Sequence, residues 1–413
     1  MSDEPINAGA AVTRREFCGR AGAAALSFTI LSPDVVRGSQ ANSRLRLGVI
    51  GCGGRGTWIA DLFRSHGGYE IAAAADYFPD RAEVFATRFG VPAERRFTGL
   101  SGYRRLLDAG VDAVAIESPP YFHPGQAAAA VEAGVHVYLA KPVAVDVPGC
   151  HSISESARKA AEKRRVFLVD FQTRADPLFI EAVSRVQQGA IGDIVFGEAI
   201  YHADCPFEQW YDLLQKDPAN PESWVRGWGL DRAFSGDMIT EQDIHTLDVM
   251  SWIMGRPPLS AVGSCGLKAR PRIGTCSDHF VALYEYAGGV RMQFSARQFK
   301  GHGTQEGIRN RVFGSRGVLE TEYGGQVLVR GEQFYRGGKT TGIYRDGAAA
   351  NIAVFHAAIG RGDVSNPTVA PSVESNLVTL LGRAAAYNNG LVTWEQLVAD
   401  GRRLTPRLEG LRD

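Results

Sequence analysis

From residue 44 onward the chain alternates two textures. Short apolar runs at 45–50, 70–76, 113–116, 136–139 and 166–171 are separated by stretches of helical character at 57–65, 80–89, 125–133 and 147–163. Strands that alternate with helices read as parallel βαβ units, because a parallel neighbour needs a crossover long enough to hold a helix. The pattern predicts an α/β Rossmann-type domain, a doubly wound parallel sheet over 44–170, with an amphipathic helix at 177–188 behind it. Further on the texture changes. Strand-like segments at 194–202, 259–269, 279–286, 290–299, 309–313, 317–322 and 326–330 are joined in several places by glycine-bearing turns such as Ala287-Gly288-Gly289. They predict an α+β domain over 171–413 with a mostly antiparallel open sheet. Residues 204–231, rich in Trp, Pro and Asp, read as a long ordered loop of the kind that serves function. Residues 374–388 read as a helix that packs back on the first domain.

Residues 1–43 stand outside this pattern. Thr13-Arg14-Arg15-Glu16-Phe17 precedes a modest apolar run at 21–31, which Ser32-Pro33 ends. That run is about half of the ~20 residues needed to span a bilayer. An arginine pair before such a run resembles a Tat (twin-arginine) export signal, with Ser39-x-Ala41 as a small-residue cleavage site. The expected compartment is the periplasm. The other reading is an N-terminal arm with a chance Arg pair, which leaves the protein in the cytoplasm.

Composition narrows the class. A chain of 413 residues, 45% hydrophobic, is long enough for two or three globular domains. A formal net charge of zero suggests neither a nucleic-acid partner nor an anionic membrane surface. The six cysteines are scattered and form no Cys-x-x-Cys, so neither a structural zinc site nor a disulfide framework is expected, and no metal is assigned.

The first strand runs straight into Gly51-x-Gly53-x-x-Gly56, a helix follows, and the second strand ends on Asp76, twenty residues past Gly56. Each part has a physical task in a dinucleotide fold. Gly51 permits the tight turn, Gly53 lets backbone approach a pyrophosphate, and Gly56 lets helix and strand pack closely. The helix start, with Gly54 and Arg55, offers unpaired N–H groups to phosphates. Asp76 accepts from the adenosine ribose and repels a 2′-phosphate, so NAD is expected over NADP. Arg55 and Arg81 are the cations that would reverse this preference if either reached the phosphate.

The stretch from Ala113 to Pro142 carries the rest of the signature. One strand ends in Ser118-Pro119-Pro120, Tyr121-Phe122-His123-Pro124 opens a helix, and the next strand ends in Ala140-Lys141-Pro142. Later, Glu241 stands four residues before His245, which predicts one helix face for both. With these motifs the chain resembles the Gfo/Idh/MocA family, named for glucose–fructose oxidoreductase and inositol dehydrogenase, over nearly everything after residue 44. The resemblance implies that Lys141 sits beside the nicotinamide and the reacting hydroxyl. It also implies that Glu241 and His245 face the cofactor, and that Ser118, Pro119 and His123 lie near it. The family's strand usually ends Glu-Lys-Pro; here Ala140 replaces the Glu, so the neighbour that orients or tunes the lysine is absent. The family more often has Asp and Gly where this chain has Glu241 and Asp243.

Oxidising a hydroxyl releases a hydride to nicotinamide and a proton to a base. A His with a pKa of about 6.5, or a Lys lowered by a neighbouring cation, does that proton work near neutral pH. His123 reads equally as a helix-start cap or a cofactor contact. Gln172 and Arg174, just past the last parallel strand, are substrate-binding candidates, with solvated loop residues as the plain alternative. Trp210, Trp224 and Trp228 either stack on sugar faces or hold the loop together. Tyr201 and His202 stay open, and Asp237 and Asp248 read as helix support. The leading expectation is an NAD-dependent oxidoreductase acting on a sugar, polyol or glycoside hydroxyl. A glycoside hydrolase working by transient oxidation and elimination is the alternative, and a non-catalytic sugar sensor follows. A homo-oligomer paired through the open sheet is also expected.

Overall fold

The computed structural model describes residues 44–365 and 367–413; the arginine pair and its apolar run lie outside the described residues. The first sheet is built from β1 (Leu45–Ile50), α1 (Gly54–His66), β2 (Tyr69–Asp76), α2 (Pro79–Phe89), β3 (Arg96–Thr98), α3 (Gly102–Asp108), β4 (Ala113–Ile116), α4 (His123–Glu132), β5 (His136–Ala140), α5 (Val147–Glu162) and β6 (Phe167–Asp170). Its six strands lie in the order β3-β2-β1-β4-β5-β6, all parallel. The strand order reverses beside β1, and the crevice outside that point is where α/β sheets hold ligands. β3 and α3 have no counterpart among the sequence-based segments. β3 has only three residues, none of them fully buried, so no apolar run marks it.

α6 (Gln172–Ala175) and α7 (Pro177–Gln187) lead to β7 (Ile194–Ala203). Residues 204–231 are not a loop. They hold α8 (Tyr211–Lys216), α9 (Pro221–Arg226) and two single 3₁₀ turns. The Asn220 side chain caps α9 ahead of Pro221, a start signal that the segment's Trp, Pro and Asp content obscured. α10 (Arg232–Ser235), α11 (Met238–Glu241) and α12 (Ile244–Met254) follow. Then come β8 (Ser260–Gly266), β9 (His279–Glu285), β10 (Arg291–Gln298), β11 (Gly307–Gly314), β12 (Gly317–Glu322), β13 (Gln326–Gly331) and β14 (Tyr335–Lys339). The chain closes with α13 (Ile343–Arg361), α14 (Val369–Asn388), β15 (Leu391–Thr393) and α15 (Trp394–Val398).

The second sheet has nine strands in the order β14-β13-β12-β11-β7-β10-β9-β8-β15. Every pair is antiparallel except the central β7–β10. α14 packs on β8 and α12 on one side and on α5 and β6 on the other, as expected of the helix at 374–388. α13, which the sequence pattern did not single out, packs on α1, α6 and β6. One continuous core therefore joins parallel-sheet residues such as Ile116 and Leu139 to open-sheet residues such as Phe280 and Phe294. Among the described residues no helix is long and apolar enough to cross a membrane, and no cluster of His, Cys, Asp or Glu is placed to hold a metal ion.

Candidate functional site

A cavity of about 640 Å³ runs from the glycine turn to the helices α11 and α12. Its first end is made of backbone. Gly51 has φ +95°, and a Cβ there would lie 2.6 Å from the Glu117 carbonyl carbon; a Cβ on Gly56 would lie 1.8 Å from the Gly51 oxygen. A Cβ on Gly53 or Gly54 would meet almost nothing, so that side of the turn opens to the cavity. No side chain caps the start of α1, which leaves its N-terminal dipole free for an anion. Asp76 is held by the N–H groups of Cys52 (2.7 Å) and Phe78 (2.9 Å), and burial raises its pKa. Beside it a smaller slot lined by Phe78, Leu100, Tyr103 and Phe122 offers an apolar berth for a flat ring. These features fit an adenine dinucleotide, with its pyrophosphate on the start of α1 and its ribose at Asp76.

Arg55 points away from that ribose. Its guanidinium donates to Glu117 (3.2 Å), Asp170 (2.6 Å) and the Tyr344 hydroxyl (3.0 Å). Each of its three nitrogens is engaged there, so Arg55 is not free to reverse the NAD preference by reaching a 2′-phosphate. Arg81 does line the cavity next to Asp76.

The other end is made of side chains. Lys141 follows β5, and its Nζ donates to the Glu241 carbonyl oxygen (2.5 Å) and faces Glu241 Oε1 (3.4 Å). Burial lowers the lysine's pKa, and Glu241 opposes that shift while Arg55 adds to it. The loop after Lys141 is pinned by Asn376 on α14, whose Oδ1 accepts from the Val143 (3.0 Å) and Ala144 (3.4 Å) N–H groups. Glu241 also accepts a hydrogen bond from Gln242, whose own oxygen accepts from the Tyr201 hydroxyl (2.7 Å). His245 lines the same wall with its Nδ1 buried and unpartnered, its ring 5.5 Å from that of Tyr323. Burial pushes the His245 pKa well below the usual histidine value, with Lys141 and Arg55 adding to it, so the ring is neutral at pH 7. Tyr323, Tyr344, Trp210 and Trp228 complete the lining.

The structure corrects several expectations. Glu241 and His245 do not share one helix. Gln242 and Asp243 both donate to the Met238 carbonyl, which ends α11 and lets α12 begin afresh. Both side chains still line the cavity, but Glu241 pairs with Lys141, not with His245. His123 is buried, with Nε2 on the Ser118 carbonyl (2.7 Å) and Nδ1 on the Pro142 carbonyl (2.8 Å). It braces the two strand ends from beneath and does not reach the cofactor space; Ser118 and Pro119 do line it. Gln172 is fully buried and donates to Asp170 (2.8 Å), and Arg174 pairs with the buried Asp248 (2.9 Å). Neither lines the cavity, because α6 turns both into the junction with α12 and α13. His202 is turned to Ser295, and Trp224 donates to the Pro218 carbonyl.

Sequence reasoning missed Glu117. It is the residue after β4, its side chain is fully buried, and it lines the cavity with Arg55 and Lys141. Burial pushes its pKa up to about 7, against the pull of Arg55. The available signal was an acid directly after the apolar run Ala113–Ile116, at the strand end where ligands bind.

A parallel sheet with this glycine turn, opening on a cavity closed by an open sheet, defines a two-layered dinucleotide-binding protein. Residues 45–170 match the oxidoreductase family with an NAD-binding Rossmann fold, residues 179–320 match the GFO/IDH/MocA C-terminal domain, and the chain belongs to the Gfo/Idh/MocA family. It is 28% identical over 250 residues to the inositol 2-dehydrogenase of Burkholderia ambifaria (strain MC40-6), a match covering 60% of this chain and 66% of that protein. The match therefore spans just under two thirds of that relative's length. A glycosyl hydrolase family 109 protein of Shewanella pealeana (strain ATCC 700345 / ANG-SQ1) is 31% identical over 162 residues, 38% of this chain and 35% of that protein. Among solved structures, levoglucosan dehydrogenase in complex with NADH and levoglucosan shares the fold at a TM-score of 0.67 and 21% identity. That alignment covers 86% of this chain and 100% of the other.

Proposed function

We propose that the protein is an NAD-dependent oxidoreductase that oxidises a hydroxyl of a sugar, polyol or glycoside, with Lys141 and His245 handling the proton. The observation that carries this reading is the meeting of Lys141, Glu241 and His245 at one end of a cavity whose other end is the glycine turn. Bound NAD supplies the hydride acceptor. Lys141 holds the reacting oxygen and polarises it, Glu241 keeps the ammonium in place, and neutral His245 takes the hydroxyl proton. With a depressed pKa the ring is neutral, so His245 enters the reaction as a base without first shedding a proton. Trp210, Trp228 and Tyr323 give the apolar faces on which a sugar ring stacks. Incubation with a panel of sugars, polyols and aryl glycosides, followed by nicotinamide absorbance and released aglycone together, tests the reading. Reduction of NAD by a polyol or sugar supports it, and aglycone release without net reduction moves the assignment to the hydrolase. The resemblance to the Shewanella protein favours that second reading.

Two further parts of the reading concern where and in what form the protein works. The Arg14-Arg15 signal directs it to the periplasm; replacing both arginines by lysine should retain the protein in the cell, and normal export of that variant contradicts the assignment. The outer face of the second sheet carries exposed Phe196, Val262, Val281 and Leu283, with Phe196 stacked on Phe313 at 4.5 Å. Register places those four on one face, which a second copy of the chain covers. Sedimentation of the wild type against Leu283→Arg tests this, and an unchanged wild-type monomer rules it out.

A further inference from the structure

We propose that Glu117, acting through Arg55, governs when Lys141 holds its proton. The inference rests on the reading of Lys141 given above. It begins with register. Ile116 stands opposite Leu139 and Ala140 opposite Asp170, so Glu117, one residue past β4, continues the row formed by Ala140 and Asp170 at the ends of β5 and β6. The middle position of the row carries no acid, and both flanking positions carry one.

Arg55 spans the row from above, bonded to Glu117 on one side and Asp170 on the other, with both carboxylates wholly buried. The two acids are not equivalent. Asp170 is saturated: one oxygen accepts from Arg55 and Gln172, the other from Asn351. Glu117 has only its Arg55 contact, and its Oε1 is buried without a partner. A buried carboxylate oxygen left bare is destabilising, and such groups are kept where function needs them.

The charges facing this group come from three elements: Arg55 from α1, Lys141 from the end of β5 and Asp170 from β6. Lys141 in turn faces Glu241, Arg55 and Asp170. When Glu117 is ionised, Arg55 is balanced on both sides and the Lys141 ammonium is tolerated. When Glu117 is protonated, Arg55 is balanced by Asp170 alone, its field reaches Lys141, and the lysine gives up its proton more readily. Burial places the Glu117 titration at about 7, so this exchange falls within the working pH range. Tyr138, beneath the row, stays protonated throughout. Glu117 is thus a positioning residue, since it acts on the substrate only through the lysine.

Reductive ¹³C-methylation of the full-length protein and NMR titration of the Lys141 signal, assigned with Lys141→Arg, reads the effect directly. Glu117→Gln keeps the shape and one hydrogen-bonding oxygen. It should lower the Lys141 titration midpoint by about one pH unit, the lower end of the effect of removing a nearby charge. The pH profile of kcat should move by the same amount. Adding Ala140→Glu to Glu117→Gln should bring both back toward the wild type. If Glu117→Gln binds NAD yet leaves the midpoint in place, or if the relocated acid restores neither readout, the inference is overturned. Unchanged turnover in Lys141→Ala instead overturns the parent reading, and the NMR titration distinguishes the two failures.

Discussion

Around the glycine turn the cavity wall is main chain, whereas around Lys141 it is side chains delivered by the ends of two parallel strands and by α11, α12 and α13. At the first end, recognition depends on where Cβ atoms are absent: Gly51 and Gly56 are excluded from carrying one by contacts of 2.6 Å and 1.8 Å. At the second end, local stability rules are broken. Glu117 Oε1, His245 Nδ1 and both oxygens of Asp243 are buried without partners. The glycine-turn end uses shape, N–H groups and the Asp76 carboxylate, all of them locally consistent with the strand–turn–helix context. On the proposed function, the second end holds groups whose protonation is poised, and poise comes from burial and unbalanced charge.

The comparison predicts that the two ends fail differently. His245→Ala should lower kcat by roughly two to four orders of magnitude, the usual range for a general acid–base group, with the dissociation constant for NAD nearly unchanged. Steady-state kinetics with parallel binding titrations reads both quantities.

His123 is buried between the Ser118 and Pro142 carbonyls and does not line the cavity, so its loss should register as stability and not as chemistry. Removing a buried ring that packs between two strand-end carbonyls and donates to one of them should cost about 2–4 kcal/mol in urea unfolding at pH 7. Its pH dependence has a definite sign. Burial pushes the folded His123 pKa down to about 4, so the folded state binds this proton more weakly than the unfolded chain. Its stabilising contribution is complete above about pH 6.5 and is lost as pH falls toward 4. His123→Asn should therefore lose less stability than the wild type between pH 7 and pH 5.

The smallest effect belongs to Asp76→Ala. It should narrow the preference for NAD over NADP by about tenfold, the worth of one charged hydrogen bond. Binding titrations with both nucleotides check this, and an unchanged ratio removes Asp76 as the source of the discrimination.

The difference between the two ends also explains what was legible in the sequence. The parallel sheet, the glycine turn and Asp76 were readable because each lies within a few residues of the run that positions it. The open sheet was readable as alternating strands, but its central parallel pair was not, since β7 and β10 meet only through tertiary contact. Lys141, Glu241 and His245 came from motif resemblance, and spacing alone put Glu241 and His245 on one helix where the structure has two. The break at Gln242–Asp243 depends on carbonyl geometry that no residue spacing records. Gln172 and Arg174 looked accessible because they follow a strand end, yet α6 buries the first and pairs the second with Asp248. Glu117 was hidden for the opposite reason: its importance lies in register with Ala140 and Asp170, which belong to different strands.

The central claim is that dinucleotide binding and proton chemistry reside at separate ends of one cavity. Lys141→Ala tests it most directly, with turnover and NAD affinity measured on the same preparation. The account predicts turnover lower by roughly two to four orders of magnitude and an NAD dissociation constant within about threefold of the wild type. Unchanged turnover, or turnover and NAD affinity lost together in a folded protein, would contradict it.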